Sequence, residues 1–436
     1  MSTSADSLLQ LVVESAAVPL LEGTARDLEI PVVRGKATVL LGMRRTGKSS
    51  LLMQRAYGKM AKGGATREQI ALFNFDNIAF EDFTGRDLLA LVEAWRKQFP
   101  QMRTAKLYLF LDEIQQIQRW ERALRELIES PLIDVTVTGS SAKLLSTEIS
   151  TSLRGRSLAT EVWPFSLRET LRHTAHSVPA NWPVTKRAQS ELESLFERYV
   201  VRGGFPEVVT LPDLTWSKVL REYLDVTLMR DVIERHSVSN PNALRTFVRQ
   251  LLRASGRKVS INKLSRDMAS QHIEVGKNTL HDYVAYLQDA YCFFFVPIFS
   301  DSVRKQQVNP KKCYSIDPGF VNANTAPGHF DRGLALETLV YIELRRRGHQ
   351  PFYGDFGRGE IDFIIGSDGE PSALMQVAWS IADETTRARE LKPLWDAAKK
   401  WPKAKLTVVT AYETDQLKDN RHHIEVVPFY RWALQG

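Results

Sequence analysis

A chain of 436 residues is too long for a single hydrophobic core and implies about two to four domains. The composition is that of an ordinary soluble globular protein, and no apolar run approaches membrane-spanning length, so no membrane role is expected. A net charge of +7 and a pI near 9.2 allow an acidic partner without demanding one. Two cysteines, Cys292 and Cys313, exclude a disulfide framework and fit a reducing cytoplasm. The first sixteen residues lack the basic start and apolar core of a secretion signal, so a cytoplasmic location is expected.

Residues 7–16 have helical apolar spacing and should cover a sheet. Ala37-Thr38-Val39-Leu40-Leu41 is an unbroken apolar run and reads as a buried strand. It leads into Gly42-Met43-Arg44-Arg45-Thr46-Gly47-Lys48-Ser49, the pattern G-x-x-x-x-G-K-S, and Ser50–Ala56 then begins a helix. Strand, glycine loop and helix in this order make a phosphate-binding loop. Its glycines let backbone N–H groups wrap a triphosphate, and the helix N-terminus adds a favourable dipole. Gly42, Arg44, Arg45, Thr46, Gly47, Lys48, Ser49 and Ser50 are therefore the candidate ATP-binding residues. Lys48 would reach the β- and γ-phosphates, and Ser49 would ligate Mg2+.

The loop helix should end near Lys62-Gly63-Gly64. A strand over Ile70–Phe75 and a helix over Gly85–Phe99 follow. The next strand, Lys106–Leu111, closes on Asp112-Glu113. Alone, two acids at a strand end are solvated charges; downstream of a phosphate-binding loop they are the second half of an ATP site. Asp112 would hold Mg2+ through water, and Glu113 would act as base for the attacking water. A fourth strand, Asp134–Gly139, delivers Ser140, the candidate to face the γ-phosphate or the water, with Thr138 as alternative. The same serine also reads as the cap of a helix starting at Ala142. Before a fifth strand at Leu158–Val162, Arg154 and Arg156 are candidate arginine fingers acting on a neighbouring subunit's phosphate, against the plainer reading of two surface arginines.

The order of Gly42–Ser49, Leu109-Phe110-Leu111-Asp112-Glu113, Thr138-Gly139-Ser140-Ser141 and Leu153-Arg154-Gly155-Arg156 resembles an AAA+-type ATPase. More narrowly, it is similar to the bacterial and archaeal ATPases whose P-loop domain precedes an uncharacterised C-terminal region. The Arg44-Arg45 pair, Trp163-Pro164-Phe165-Ser166 and Gly203-Gly204-Phe205-Pro206-Glu207 match that group. The resemblance covers almost the whole chain. It implies a parallel sheet with the P-loop strand central and the Asp-Glu strand not beside it.

Residues 167–255 read as helices. Tyr223–Ile233 is apolar on all sides, so a buried helix is expected, with Arg230 and Asp231 as a buried structural pair. Residues 256–317 have the order of a winged helix: a short strand at Val259–Ile261, helices at Asn262–Ser270 and Asn278–Ala290, and a hairpin around the loop Ser302–Gln307. Twelve lysines and arginines against six acids between 241 and 330 give this stretch +6 of the chain's +7. Lys277, Asn278, Thr279, His281 and Asp282 would enter a DNA groove, and Arg304-Lys305 would touch phosphates. The alternative is a winged helix used for packing or subunit contact. Beyond it, Glu337 on a helix, Asp362 after Glu360-Ile361 and a following strand resemble the PD-(D/E)XK nuclease fold, which uses acids and a lysine around Mg2+. Gln376 and Ala378 stand where an acid and the lysine belong, so nuclease chemistry is expected to be lost.

The expected architecture is α/β: a P-loop parallel-sheet ATPase domain over 1–165, a helical region over 166–255, a winged-helix domain over 256–325 and a small α/β nuclease-like domain over 326–436. The expected function is Mg2+-dependent ATP hydrolysis by a homo-oligomeric ring such as a hexamer, acting on DNA through 256–325 or on a protein partner. The alternative is an ATP-dependent assembly or signalling switch with slow turnover.

Overall fold

The computed structural model describes residues 4–140, 153, 155–326, 328–356, 359–367, 369–419 and 422–435. The chain forms two compact units, Met1–Val162 and Trp163–Gly436.

The first unit is built on five strands: β1 (Ala37–Leu41), β2 (Ile70–Asn74), β3 (Leu107–Asp112), β4 (Ile133–Gly139) and β5 (Ser157–Glu161). All pair in parallel in the order β2-β3-β4-β1-β5. Every residue of β1 is buried, as expected of a strand covered on both faces. Among the described residues the unit also carries helices α1 (Ala5–Ala17), α2 (Lys48–Ala61), α3 (Gly85–Gln98) and α4 (Trp120–Glu129). In α4, Trp120, Ala123, Leu124, Leu127 and Ile128 are buried, the spacing of one apolar face. Ser15 of α1 donates to the Leu72 carbonyl at 2.7 Å and accepts from the Leu72 amide, tying α1 to β2. Parallel strands put all their C-terminal ends on one edge. Gly42, Asp112 and Ser140 therefore emerge together, with the P-loop strand between β4 and β5 and one strand away from β3.

The second unit opens with α5 (Leu167–His173), α6 (Lys186–Arg202), α7 (Pro206–Val209) and α8 (Trp216–Thr227), then a π-helical stretch Leu228–Glu234 and α9 (Pro241–Arg253). The helix expected to be buried throughout exposes Val226 and Met229. Arg230 is also exposed and pairs with Glu234 at 3.3 Å, whereas Asp231 is buried with Arg235 at 3.5 Å. The expected Arg230–Asp231 pair is absent because adjacent helical residues point apart, and partners lie one turn on. Next come β6 (Arg257–Val259), α10 (Ile261–Ala269), α11 (Lys277–Asp289), β7 (Phe293–Val296), α12 (Val303–Val308) and β8 (Lys311–Ser315). The three strands form an antiparallel sheet in the order β6-β8-β7. The segment expected as a hairpin loop is instead the short α12, because Ser302 caps it by accepting from the Lys305 amide.

The unit ends with α13 (Pro318–Asn324), α14 (Arg332–Arg346), β9 (Phe352–Asp355), β10 (Glu360–Ser367), β11 (Glu370–Val377), α15 (Glu384–Lys400), β12 (Lys405–Thr410), β13 (Asp415–Lys418), β14 (His423–Pro428) and α16 (Phe429–Gln435). The strands β9 to β14 form a six-stranded sheet in the order β13-β14-β12-β11-β10-β9.

The two signature stretches after the first unit meet each other. Phe165 donates its amide to the Gly204 carbonyl, and Tyr199 and Arg346 both donate to the Phe165 carbonyl. Gly203 has φ +75°, and a Cβ there would lie 1.6 Å from the Asp317 carboxylate. That carboxylate accepts from the Gly204 and Gly319 amides at 2.8 and 2.7 Å. Burial pushes the Asp317 carboxyl up to about 7, with those two donors and Arg346 pulling against it. Its folded pKa lies above its unfolded value, so its stabilising contribution is complete below the ordinary aspartate range and is lost as pH rises through about 7. The melting temperature should therefore be higher at about pH 5.5 than at about pH 8.5, and Asp317→Asn should flatten that dependence, as measured by calorimetry.

Candidate nucleotide and catalytic site

The loop after β1 is shaped by its backbone. Gly42 has φ +157°, and a Cβ on it would meet the Val162 carbonyl at 2.3 Å. Gly47 is left-handed at φ 94° and caps α2. Arg45 is left-handed as well and exposed, while Thr46 is buried and donates to the Met43 carbonyl at 3.0 Å. Lys48 is 4% exposed and donates to the Gly42 and Met43 carbonyls at 3.0 and 2.9 Å. Its ammonium thus folds back over the loop that would cradle a phosphate. Arg26, from the segment before β1, reaches the Thr46 carbonyl at 3.0 Å. Arg44 is half-buried; Ser49 and Ser50 are exposed.

At the end of β3 the hydroxyl of Thr138 donates to Asp112 Oδ1 at 2.5 Å and accepts from the Glu113 amide at 2.9 Å. Asp112 also hydrogen-bonds Ser49. Burial pushes the Asp112 carboxyl up, the Thr138 and Ser49 bonds and the Lys48 charge pull it down, and Glu113 raises it again; the net direction is up. A buried carboxylate and a hydroxyl in contact are hard oxygen donors lacking a full counter-charge, so Ser49 and Asp112 fit Mg2+. Glu113 has left-handed backbone, φ 52° and ψ 47°, and its Oε2 accepts from Gln115 Nε2. Such a conformation costs a non-glycine residue about 1–3 kcal/mol and often marks a functional turn.

The structure brings Lys48, Ser49, Asp112, Glu113 and Thr138 together. Ser140 is fully buried just past β4, but it is Thr138, the alternative, whose hydroxyl touches both acids' positions. Gln115 was not legible as a site residue; its one signal is an amide two places beyond a candidate base. Arg154, Ser141 and the helix expected from Ala142 lie outside the described residues. Arg156 pairs with Glu129 at 2.7 Å and is 46% exposed. The register sets Ser157 beside Ala37 and Glu161 beside Leu41. Arg156 is therefore at the sheet end opposite the P-loop, about 15 Å along the strand, and outside its own chain's phosphate loop.

In the second unit, Glu337 and Asp362 come together, each buried, but the group between them is Lys312 of β8. Gln376 donates to Glu390 at 2.6 Å, and Ala378 is buried among apolar side chains. Lys312 lies outside the stretch that carries the nuclease resemblance, so motif spacing could not point to it.

Residues 34–171 match the AAA domain family, and residues 193–327 match a domain of unknown function, DUF8612. An uncharacterised protein of Haemophilus influenzae is 29% identical over 91% of this chain and 94% of its own. Among solved structures, the Walker-type ATPase PABY2304 of Pyrococcus abyssi aligns with TM-score 0.36 and 16% identity over 74% of this chain and 95% of that one. The ORC1 protein of Aeropyrum pernix, solved in complex with DNA, aligns with TM-score 0.30 and 14% identity over 80% and 94%. The uncharacterised protein MJ1544 of Methanocaldococcus jannaschii is 33% identical over 94% of this chain and 90% of its own. On that extent of identity the chain belongs to the family of MJ1544, with an AAA domain at its front.

Proposed function

We propose that this protein is a Mg2+-dependent ATPase of AAA+ type that works as a homo-oligomer. The observation that carries the reading is the contact of Asp112 with Ser49 from the P-loop helix and Thr138 from β4, beside Lys48. Lys48 would exchange its two loop carbonyls for phosphate oxygens. Mg2+ held by Ser49 and Asp112 would neutralise charge on the β- and γ-oxygens. Thr138 orients Asp112 and fixes the turn that carries Glu113, and Glu113 would take the proton of the attacking water. Lys48→Ala should abolish ATP binding, read by calorimetric titration, because Lys48 is the cation folded over the Gly42 and Met43 carbonyls where the β- and γ-phosphates would lie. Wild-type affinity in the variant would overturn the assignment.

A second reading is a nucleotide switch with slow turnover. Gln115 favours it, since it engages Glu113 and would have to release it before water could be activated. Stimulation of turnover by a partner separates the two: a motor is stimulated, a switch stays slow.

For 256–325 we propose a winged helix that contacts duplex DNA, with a protein partner as the alternative. Support comes from the order α9, β6, α10, α11, β7, β8 and from the exposure of Lys277, Asn278, His281, Arg304 and Lys305. Binding to a duplex should weaken steeply with salt. Binding that ignores salt, or no binding, removes this reading. The domain behind it, 326–436, is proposed as a nuclease-like fold without cleavage.

A further inference from the structure

Lys312 is a charged side chain placed almost out of reach of water, at 2% exposure. Its ammonium donates to Glu337 Oε1 and to Asp362 Oδ1, both at 2.8 Å, and lies 2.7 Å from Glu360 Oε1. An ammonium has three protons and no acceptor, so three carboxylates saturate it. The cage is built on from outside. Tyr314, two residues along β8, donates to Glu337 at 2.7 Å, and the Val377 amide donates to the other oxygen of Asp362 at 2.9 Å. The second oxygen of Glu360 is 2.6 Å from Lys258, which also bonds Asp355 at 2.7 Å. Burial would push the Lys312 pKa down; Asp362, Tyr314, Glu337 and Glu360 reverse this and hold it well above the ordinary lysine range. The residue is a fixed cation.

A divalent metal also asks for anionic oxygens, and here Glu337 and Asp362 are buried while Glu360 is 32% exposed, but Mg2+ needs its oxygens at about 2.0–2.1 Å. Here they stand at ammonium distance around an ammonium. The metal of a PD-(D/E)XK centre therefore does not fit the residues present, quite apart from Gln376 and Ala378. The lysine also comes from the three-stranded sheet, while Glu360 and Asp362 come from β10 of the six-stranded sheet and Glu337 from α14.

We propose that Lys312 is the resident cation of this centre: it keeps divalent metal out and clasps the three-stranded sheet to the six-stranded one. The test uses the full chain carrying Asp112→Asn, which removes the metal ligand of the first unit. With Lys312 intact, Mn2+ up to about millimolar should show no binding by electron paramagnetic resonance that depends on Asp362. Lys312→Met leaves the buried Glu337 and Asp362 carboxylates without the counter-charge that Lys312 supplies and should lower the melting temperature by roughly 10 °C. Mn2+ should restore part of that loss, and Asp362→Asn should abolish the restoration. The double variant Lys312→Met with Asp362→Asn should melt above the single Lys312→Met. The proposal is overturned by Asp362-dependent Mn2+ binding to the Lys312 protein, or by a Lys312→Met chain that melts at the parental temperature. If Lys312→Met cannot be recovered folded, the Mn2+ titration of the Lys312 protein alone decides, with Asp362-dependent binding against the proposal and none in its favour.

Discussion

Glu113→Gln is expected to bind ATP with close to wild-type affinity and to lose hydrolysis by about a hundredfold to ten-thousandfold, the usual worth of a positioned base. The substitution keeps the size and the left-handed turn, so the Glu113 amide still donates to Thr138. Lys48, Ser49 and Asp112 are untouched, and these are the groups assigned to phosphate and Mg2+. What disappears is the carboxylate proposed to accept the proton of the attacking water. Single-turnover phosphate release alongside equilibrium ATP binding measures the two effects separately. A variant that hydrolyses ATP at the normal rate means that Glu113 does not activate the water. Asp112→Asn should behave differently, weakening Mg2+-dependent binding itself.

Replacing Arg154 and Arg156, the arginines proposed as fingers, is expected to have an effect of similar or larger size, about a thousandfold or more in turnover, with little change in ATP binding. Arg156 is at the sheet end opposite its own P-loop, so any contact it makes with a phosphate must be with another subunit's nucleotide. Its present partner is Glu129, an exposed pair worth about 1 kcal/mol or less, which a phosphoryl group could displace. Arg154, two residues earlier, is the other candidate. An arginine supplied across an interface acts only when subunits touch, so activity per subunit should rise steeply with protein concentration. Mixing is the sharper measurement. A Lys48→Ala subunit still offers its arginines, and a subunit lacking the finger still offers its P-loop, so the mixture should recover activity that neither has alone. A stable monomer with full activity, or no loss when both arginines are replaced, places the whole site within one chain.

Much of the first unit was legible in the sequence because its signals are local. Continuous apolar runs such as Ala37–Leu41 are what a doubly covered parallel strand requires, and the glycine spacing of the P-loop states its own backbone geometry. What could not be read are pairings between distant residues. Thr138 and Asp112 are 26 positions apart, and only the β3–β4 register brings the hydroxyl to the carboxylate. Lys312 and Asp362 are 50 apart and belong to different sheets. A lysine in an alternating strand says nothing about which acids it will face. The Arg230–Asp231 expectation rests on the cost of an unpaired buried charge, but Arg230 is exposed and the π-helical stretch sets each residue against a partner one turn away. The β7–β8 hairpin is present as expected, but its connection is the short helix α12, capped by Ser302, where a loop was expected.

Phosphate release by the full chain measures whether the P-loop unit hydrolyses ATP. Release should be followed with and without Mg2+, over a range of protein concentrations, beside the Lys48→Ala chain. Turnover should need Mg2+, vanish in Lys48→Ala and rise per subunit as concentration increases. ATP binding without phosphate release at every concentration, or release that survives Lys48→Ala, would contradict this expectation.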